Sequence, residues 1–283
     1  MSDGTPHIQG YYYYDKFGVR KINSTRKYGR EWFANWDNGI ARSVIDGDKY
    51  DHLFDPSGRK ISMQVDGRGR LIIAGDAPRF LIRNNDELWY NIESTLYFTV
   101  IGRTAMDLNG GAIENRNGDR MSVPDSFGCD RGYMIGGGIR HSKSRTFIQK
   151  EVIDRCAYTA SIGQDYALID TEDLPLEKEV GIKVVTKQLS SSSVLHQIYL
   201  DKEANNYWEK IAEKIDSGNW PAKRKIGCTA CQNRPLNWIP GPTNAVRFRT
   251  DHANPVVFTK ASVREIDGYR VDDTYNKAVP NCH

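Results

Sequence analysis

Gly181-Ile182-Lys183-Val184-Val185-Thr186 and Val194-Leu195-His196-Gln197-Ile198-Tyr199-Leu200 decide the fold class, with Ser190-Ser191-Ser192-Ser193 between them. Both runs are rich in β-branched or aromatic residues and alternate in polarity at period two, as half-buried strands do. The serines read as a hairpin loop. Working outward, the same signature recurs at Arg70–Ala74, Leu96–Ile101, Val246–Arg249 and Val256–Ile266. Asp66-Gly67 and Asn117-Gly118 supply the residues that tight hairpins prefer, because both tolerate positive φ. One segment resists. In Trp208-Glu209-Lys210-Ile211-Ala212-Glu213-Lys214-Ile215 the apolar residues fall at i, i+3, i+4 and i+7, the helix template.

Many short strands with close turns and at most one helix predict an all-β fold, a two-sheet antiparallel jelly-roll sandwich. No repeat, low-complexity tract or linker divides the 283 residues. One domain over 1–283 is therefore expected, with its core at about 60–268 and loop and strand decorations at its N-terminus.

Composition narrows the function. Lys plus Arg total 39 against 36 Asp plus Glu, a net charge of +3, too balanced for a dedicated nucleic-acid binder. No apolar run approaches the ~20 residues of a membrane span. Aromatic residues make up 11 % of the chain, which argues against disorder. The N-terminus has neither a basic nor an apolar leader region, so no signal peptide is expected there. The compartment stays open: extracellular if a leader was removed, cytoplasmic otherwise.

The order of segments resembles the concanavalin A-like jelly roll shared by legume lectins, laminin-G-like modules, laminarinase-type glucanases and several polysaccharide lyases. Gly181–Val185, Gln197–Asp201 and Trp208–Ile211 resemble strands that such modules place consecutively. Asp216-Ser217-Gly218 resembles the turn that follows, and Val256–Ile266 their closing strand. The resemblance makes the Trp208 segment a strand. That reading is preferred, since a lone two-turn helix is weakly specified without packing.

The resemblance also implies a carbohydrate partner, most specifically an acidic one. A lyase that abstracts the C5 proton of a uronate must neutralise the neighbouring carboxylate, place a base at the proton and protonate the leaving oxygen. Arg116 and Gln149 suit the carboxylate, His141 the proton, and Tyr133 or Lys150 the leaving oxygen. Glu114, Arg140, Lys143, Arg145 and Trp238 are expected to contact substrate. Arg140, His141, Lys143, Arg145 and Lys150 fall within eleven positions, a local cationic excess that a polyuronate would feel. The three short motifs of the best-known alginate-lyase family are not spelled out here. The competing readings are a non-catalytic carbohydrate-binding module and a surface or adhesion protein, in which these charges are solvated strand faces.

Other chemistries fit less well. A retaining glucanase needs two carboxylates about 5 Å apart. Glu87 and Glu93, six residues apart, would stand roughly 20 Å apart along a strand. Cys228-Thr229-Ala230-Cys231 lacks the second close pair of a structural zinc site. β-Elimination requires no cofactor and no catalytic metal. The acidic loop Asp46–Asp51 with Asp55 is compatible with a structural Ca2+, although solvated carboxylates are the simpler reading. Trp32, Trp36, Trp220 and Trp238 lie among loop-forming residues, either as sugar-stacking platforms or as cover for the sandwich edge.

Overall fold

The computed structural model describes residues 13–83, 87–101, 109–115, 132–140, 143–153, 157–159, 169–170, 177–227, 235–237, 239, 241–242, 244–251 and 253–270. Its regular elements there are all strands: β1 (Glu31–Phe33), β2 (Arg42–Ser43), β3 (Phe54–Val65), β4 (Arg70–Arg83), β5 (Ile92–Val100), β6 (Asn109–Asn115), β7 (Gly132–Arg140) and β8 (Lys143–Ile153). They continue as β9 (Ala157–Thr159), β10 (Ile169–Asp170), β11 (Val180–Ser190), β12 (Ser193–Asp201), β13 (Glu209–Asp216), β14 (Ala222–Arg224), β15 (Ala245–Arg249) and β16 (Ala253–Glu265). All pairings are antiparallel.

The fold class is the one expected, an antiparallel β-sandwich, with a difference in how the layers join. The strands follow one hydrogen-bonded path, β13-β12-β11-β5-β16-β4-β15-β6-β7-β8-β9-β14, that folds back on itself. β13 comes to face β8, and β11 faces β6 and β7. β4 makes the corner: its residues 70–75 pair with β16, and its residues 79–83 pair with β15. Strands that switch layers do so at bulges. Here the bend lies at Gly75 (φ 122°) and Ala77 (φ 51°), opposite Gly58 (φ 142°) and Lys60 (φ 48°) in β3. A Cβ at Gly75 would stand 2.4 Å from the Lys60 carbonyl oxygen, so only glycine fits.

Between the layers lies a core running from Trp32 to Val263. Phe80 is its hub, stacked on Phe54 at 4.8 Å and on Phe248 at 5.1 Å, with Trp36 edge-on at 5.9 Å. The stretch before residue 60 is thus more than decoration: β1 pairs with β16, and Trp32 and Trp36 are buried.

The Trp208 segment is the strand β13, and the register explains its helical look. Ala212 pairs with Ile198, but Lys210 pairs with Tyr199, so Ile211 is the extra residue of a bulge. One inserted residue flips the parity of all that follows. Period two interrupted once reads as i, i+3, i+4. The Asp66-Gly67 hairpin is also present: the Asp66 carboxylate accepts the Arg68 and Arg70 N–H groups, and Gly67 takes φ 76°. Ser190 and Ser193 close the β11–β12 hairpin, as the serine run predicts. Asn117-Gly118 lies outside the described residues, as do Cys129, Cys156, Cys228, Cys231 and Cys282.

Candidate functional site

β6, β7 and β8 are neighbours, with β15 beside β6. The strands that carry Glu114, Tyr133, Arg140, Lys143, Arg145, Gln149 and Lys150 therefore do lie side by side. Register then sorts these residues into two sets. Gln149 pairs with Met134, Met134 with Glu114, and Glu114 with Arg247, one row across four strands. Lys150 pairs with Tyr133, and Tyr133 with Asn115, in the adjacent row. Successive residues of a strand belong to opposite faces, so these rows are on opposite sides of the layer.

The Lys150 row is interior. Lys150 is fully buried and its Nζ donates to Asp216 Oδ2 at 2.7 Å, across the sandwich on β13. The ammonium also sits over the Trp220 ring at 5.7 Å. Burial lowers the Lys150 pKa, and Asp216 opposes that shift. The expectation that Lys150 and Gln149 line one groove is thereby corrected: two consecutive residues in an unbroken ladder cannot share a face. Tyr133 stands in the Lys150 row by register. Arg116, His141 and Trp238 lie outside the described residues.

The outer face of β15-β6-β7-β8 collects the other set. By register it holds Gln149 and Glu114 together with Arg145 (opposite Gly138) and Arg140 (opposite Lys143). Arg247 and Arg249 enter from β15, and sequence reasoning missed both; Arg247 and Gln149 are buried, at 3 % and 6 % exposure, and Arg249 pairs with Asp251 at 2.6 Å. The alternation of the two arginines with Val246 and Phe248 was the available signal. Gly110, Ala112, Gly136 and Gly138 share this face. Glycines within strands commonly mark where another backbone or a ligand comes close. Met134 and Phe147 belong to the same face by register, beside the small residues of β6 and β7.

The outer face of the other layer holds a second polar group that the sequence reading did not single out. Glu93, Lys183 and Arg264, on adjacent strands, are all fully buried. Arg264 donates to Glu93 Oε1 at 2.6 Å, and Lys183 Nζ lies 3.3 Å from that oxygen and 2.7 Å from Thr95 Oγ1. The N-terminal segment closes over them. Ile22 N (3.1 Å), Asn23 N (2.7 Å) and Asn23 Nδ2 (3.2 Å) all donate to the Glu93 carboxylate. Burial alone would raise the Glu93 pKa, but Lys183, Arg264 and the two backbone N–H groups outweigh it and hold it below the ordinary value. Beside them Tyr97 donates to Asp201 Oδ2 at 2.8 Å, and burial and that carboxylate push its hydroxyl pKa far up. A charged residue between Ile182 and Val184 was the visible hint. Closed over in this way, the group ties down a chain segment and gives a polymer no access.

The acidic loop is already occupied by protein partners. Asp48 accepts Arg42 Nε at 2.8 Å, and Asp51 accepts Trp32 Nε1 at 2.7 Å and the Leu53 N–H at 3.1 Å. Among the described residues no group of three or more His, Cys, Asp or Glu is placed to hold a metal. Trp32, Trp36 and Trp220 are buried, so these three cover the core and offer no stacking platform. No helix in the described residues is long and apolar enough to cross a membrane.

No family model matches the chain, and no curated protein matches it. Among solved structures, it is similar to the exoplasmic/lumenal domain of VIP36 in its Ca2+- and Man3GlcNAc-bound form, at 12 % identity over 87 % of this chain and 95 % of that one, TM-score 0.44. A galectin-like-fold protein of unknown function from Bacillus subtilis matches at 12 % identity over 84 % of this chain and 100 % of that one, TM-score 0.44. An alginate lyase in complex with an alginate trisaccharide matches at 12 % identity over 84 % of this chain and 98 % of that one, TM-score 0.49. The likeness is one of fold alone.

Proposed function

We propose that the chain binds an acidic, uronate-containing glycan along the outer face of β15-β6-β7-β8 and cleaves it by β-elimination. The observation that carries this reading is the row Gln149–Met134–Glu114–Arg247, beside a glycine-lined strip that shares its face with Arg140, Lys143 and Arg145. An extended polyanion is attracted by strands that carry such a cationic excess. Gln149 and Arg116 hold the uronate carboxylate. His141 takes the C5 proton, the C5–H electron pair forms the C4–C5 double bond, and the C4–O bond breaks. The leaving oxygen receives a proton, returned by the same imidazole or supplied by water. Solved structures of similar fold include an alginate lyase in complex with an alginate trisaccharide and a VIP36 domain in its Man3GlcNAc-bound form, in keeping with a carbohydrate ligand.

The binding-module reading keeps one specific observation in its favour. Lys150 is buried in an ion pair, and Tyr133 shares its row, so two of the groups assigned to proton transfer leave the site. A panel of polyuronates, assayed for the ultraviolet absorbance of unsaturated ends, separates the two readings. The lyase reading predicts product from at least one polyuronate and its abolition in Arg116→Ala, with the circular-dichroism spectrum unchanged. Retained binding with no unsaturated ends from any uronan would leave a binding module. Neither binding nor product would sink both.

A further inference from the structure

A cleft of about 240 Å3 opens where the N-terminal segment, the β3–β4 hairpin loop and the bulge of β16 meet, on the other layer from the glycan face proposed above. We infer that this cleft is a second binding site, for a single neutral pyranose ring.

Its walls are of two kinds. Phe17, half-buried and held edge-on to Phe33 at 5.6 Å, supplies the aromatic surface, and the buried Trp36 closes the floor behind it. Asp37, Arg68, Glu179 and Lys260 supply polar groups. Glu179 is fixed by two donors, the Thr259 hydroxyl on Oε1 and Lys260 Nζ on Oε2 at 2.8 Å. A carboxylate offers about four lone-pair positions, so acceptor capacity remains for ligand hydroxyls. Both Glu179 and Lys260 side chains are about a third exposed, at 28 % and 34 %. Asp37 and Arg68 are exposed and make no side-chain hydrogen bond or ion pair among the described residues.

A backbone feature points the same way. Lys260 sits at φ 48°, a left-handed conformation costly for a lysine, and it does so at the bulge where β16 slips against β5. Strain of this kind persists only where the surroundings over-determine it, and it clusters at ligand sites. Here it stations the ammonium between Glu179 and the Tyr97 ring, 4.3 Å from the ring centroid.

Charge selects the ligand class. Lys260 is paired with Glu179 and Arg70 with Asp66 at 2.6 Å, which leaves one cation, Arg68, and one anion, Asp37. That balance does not favour a phosphate or a uronate. It suits a ring with one apolar C–H face for the aromatic wall and hydroxyls for both donors and acceptors. The volume lies below the ~300–1,000 Å3 of sites for drug-sized ligands, as one sugar ring requires. This inference does not rest on the lyase reading.

Saturation-transfer NMR and calorimetry with methyl glycosides of glucose, galactose, mannose and xylose test it, with inorganic phosphate and free amino acids as contrasts. At least one pyranoside should bind with Kd of about 1 mM, insensitive to salt, and weaken about fivefold or more in Phe17→Ala and in Arg68→Ala. Arg68 is exposed, so its variant should keep the wild-type melting temperature and isolate the contact. Absence of pyranoside binding, binding of phosphate or amino acids instead, or affinities unchanged in both variants would each overturn the assignment. Polyuronate binding at the other face should be untouched by either substitution.

Discussion

Glu93→Ala should cost about 3–5 kcal/mol of folding stability, because it leaves the buried Lys183 and Arg264 without their shared counter-ion. Both cations are fully buried, so water cannot replace the carboxylate. The same substitution removes the acceptor for Ile22 N and Asn23 N, and so should loosen the N-terminal segment. In thermal unfolding the loss amounts to a melting point about 6–20 °C lower for a chain of this size. The pH dependence follows from directions alone. The Glu93 pKa is lower in the folded protein than in the unfolded chain, so its stabilisation is full above the unfolded value of about 4.3 and fades as pH falls through the folded one. Wild type should therefore lose stability below about pH 5, and Glu93→Ala should show a flatter acid limb. Urea titrations at several pH values measure both.

Asp216→Ala should be comparably severe, at about 3–5 kcal/mol, since it removes the carboxylate paired with the buried Lys150 ammonium between the layers. The companion double substitution, Lys150→Met with Asp216→Leu, should recover most of that loss. Burying two well-packed apolar side chains is often no worse than burying an ion pair. The contrast separates a structural role for Lys150 from a catalytic one. If Lys150 moves protons in turnover, the double variant folds and is inactive; if it only bridges the layers, the double variant keeps the polyuronate activity proposed for the outer face.

Alternation carried much of the fold into view. Val180–Ser190 and Ser193–Asp201 are strands joined at the serine run, and Asp66-Gly67 turns where its side-chain chemistry says it should. Period two fails where a bulge intervenes, and the Ile211 insertion imitates a helix for that reason. The corner in β4 is equally hidden, because nothing local in Gly75-Asp76-Ala77 says which layer follows. For the site, parity within one strand was legible and decisive: Gln149 and Lys150 are neighbours and so belong to opposite faces. Partnership across the sheet was not. That Glu114 stands beside Arg247, or that Lys150 meets Asp216 across the sandwich, depends on register between strands 66 or more residues apart. Buried ion groups such as Glu93–Lys183–Arg264 look, in sequence, like ordinary solvated positions of an alternating strand.

Affinity electrophoresis tests the central claim most directly, with the protein run through gels containing a polyuronate or a neutral glucan at low and high salt. Attraction between a polyanion and protein cations is screened over about 8 Å at physiological ionic strength. Retardation should therefore appear with the polyuronate, fade as salt rises, and weaken in Gln149→Ala and in Arg145→Ala. Equal retardation by the neutral glucan, or none by any acidic polymer at low salt, would contradict an acidic-glycan site on the outer face of β15-β6-β7-β8.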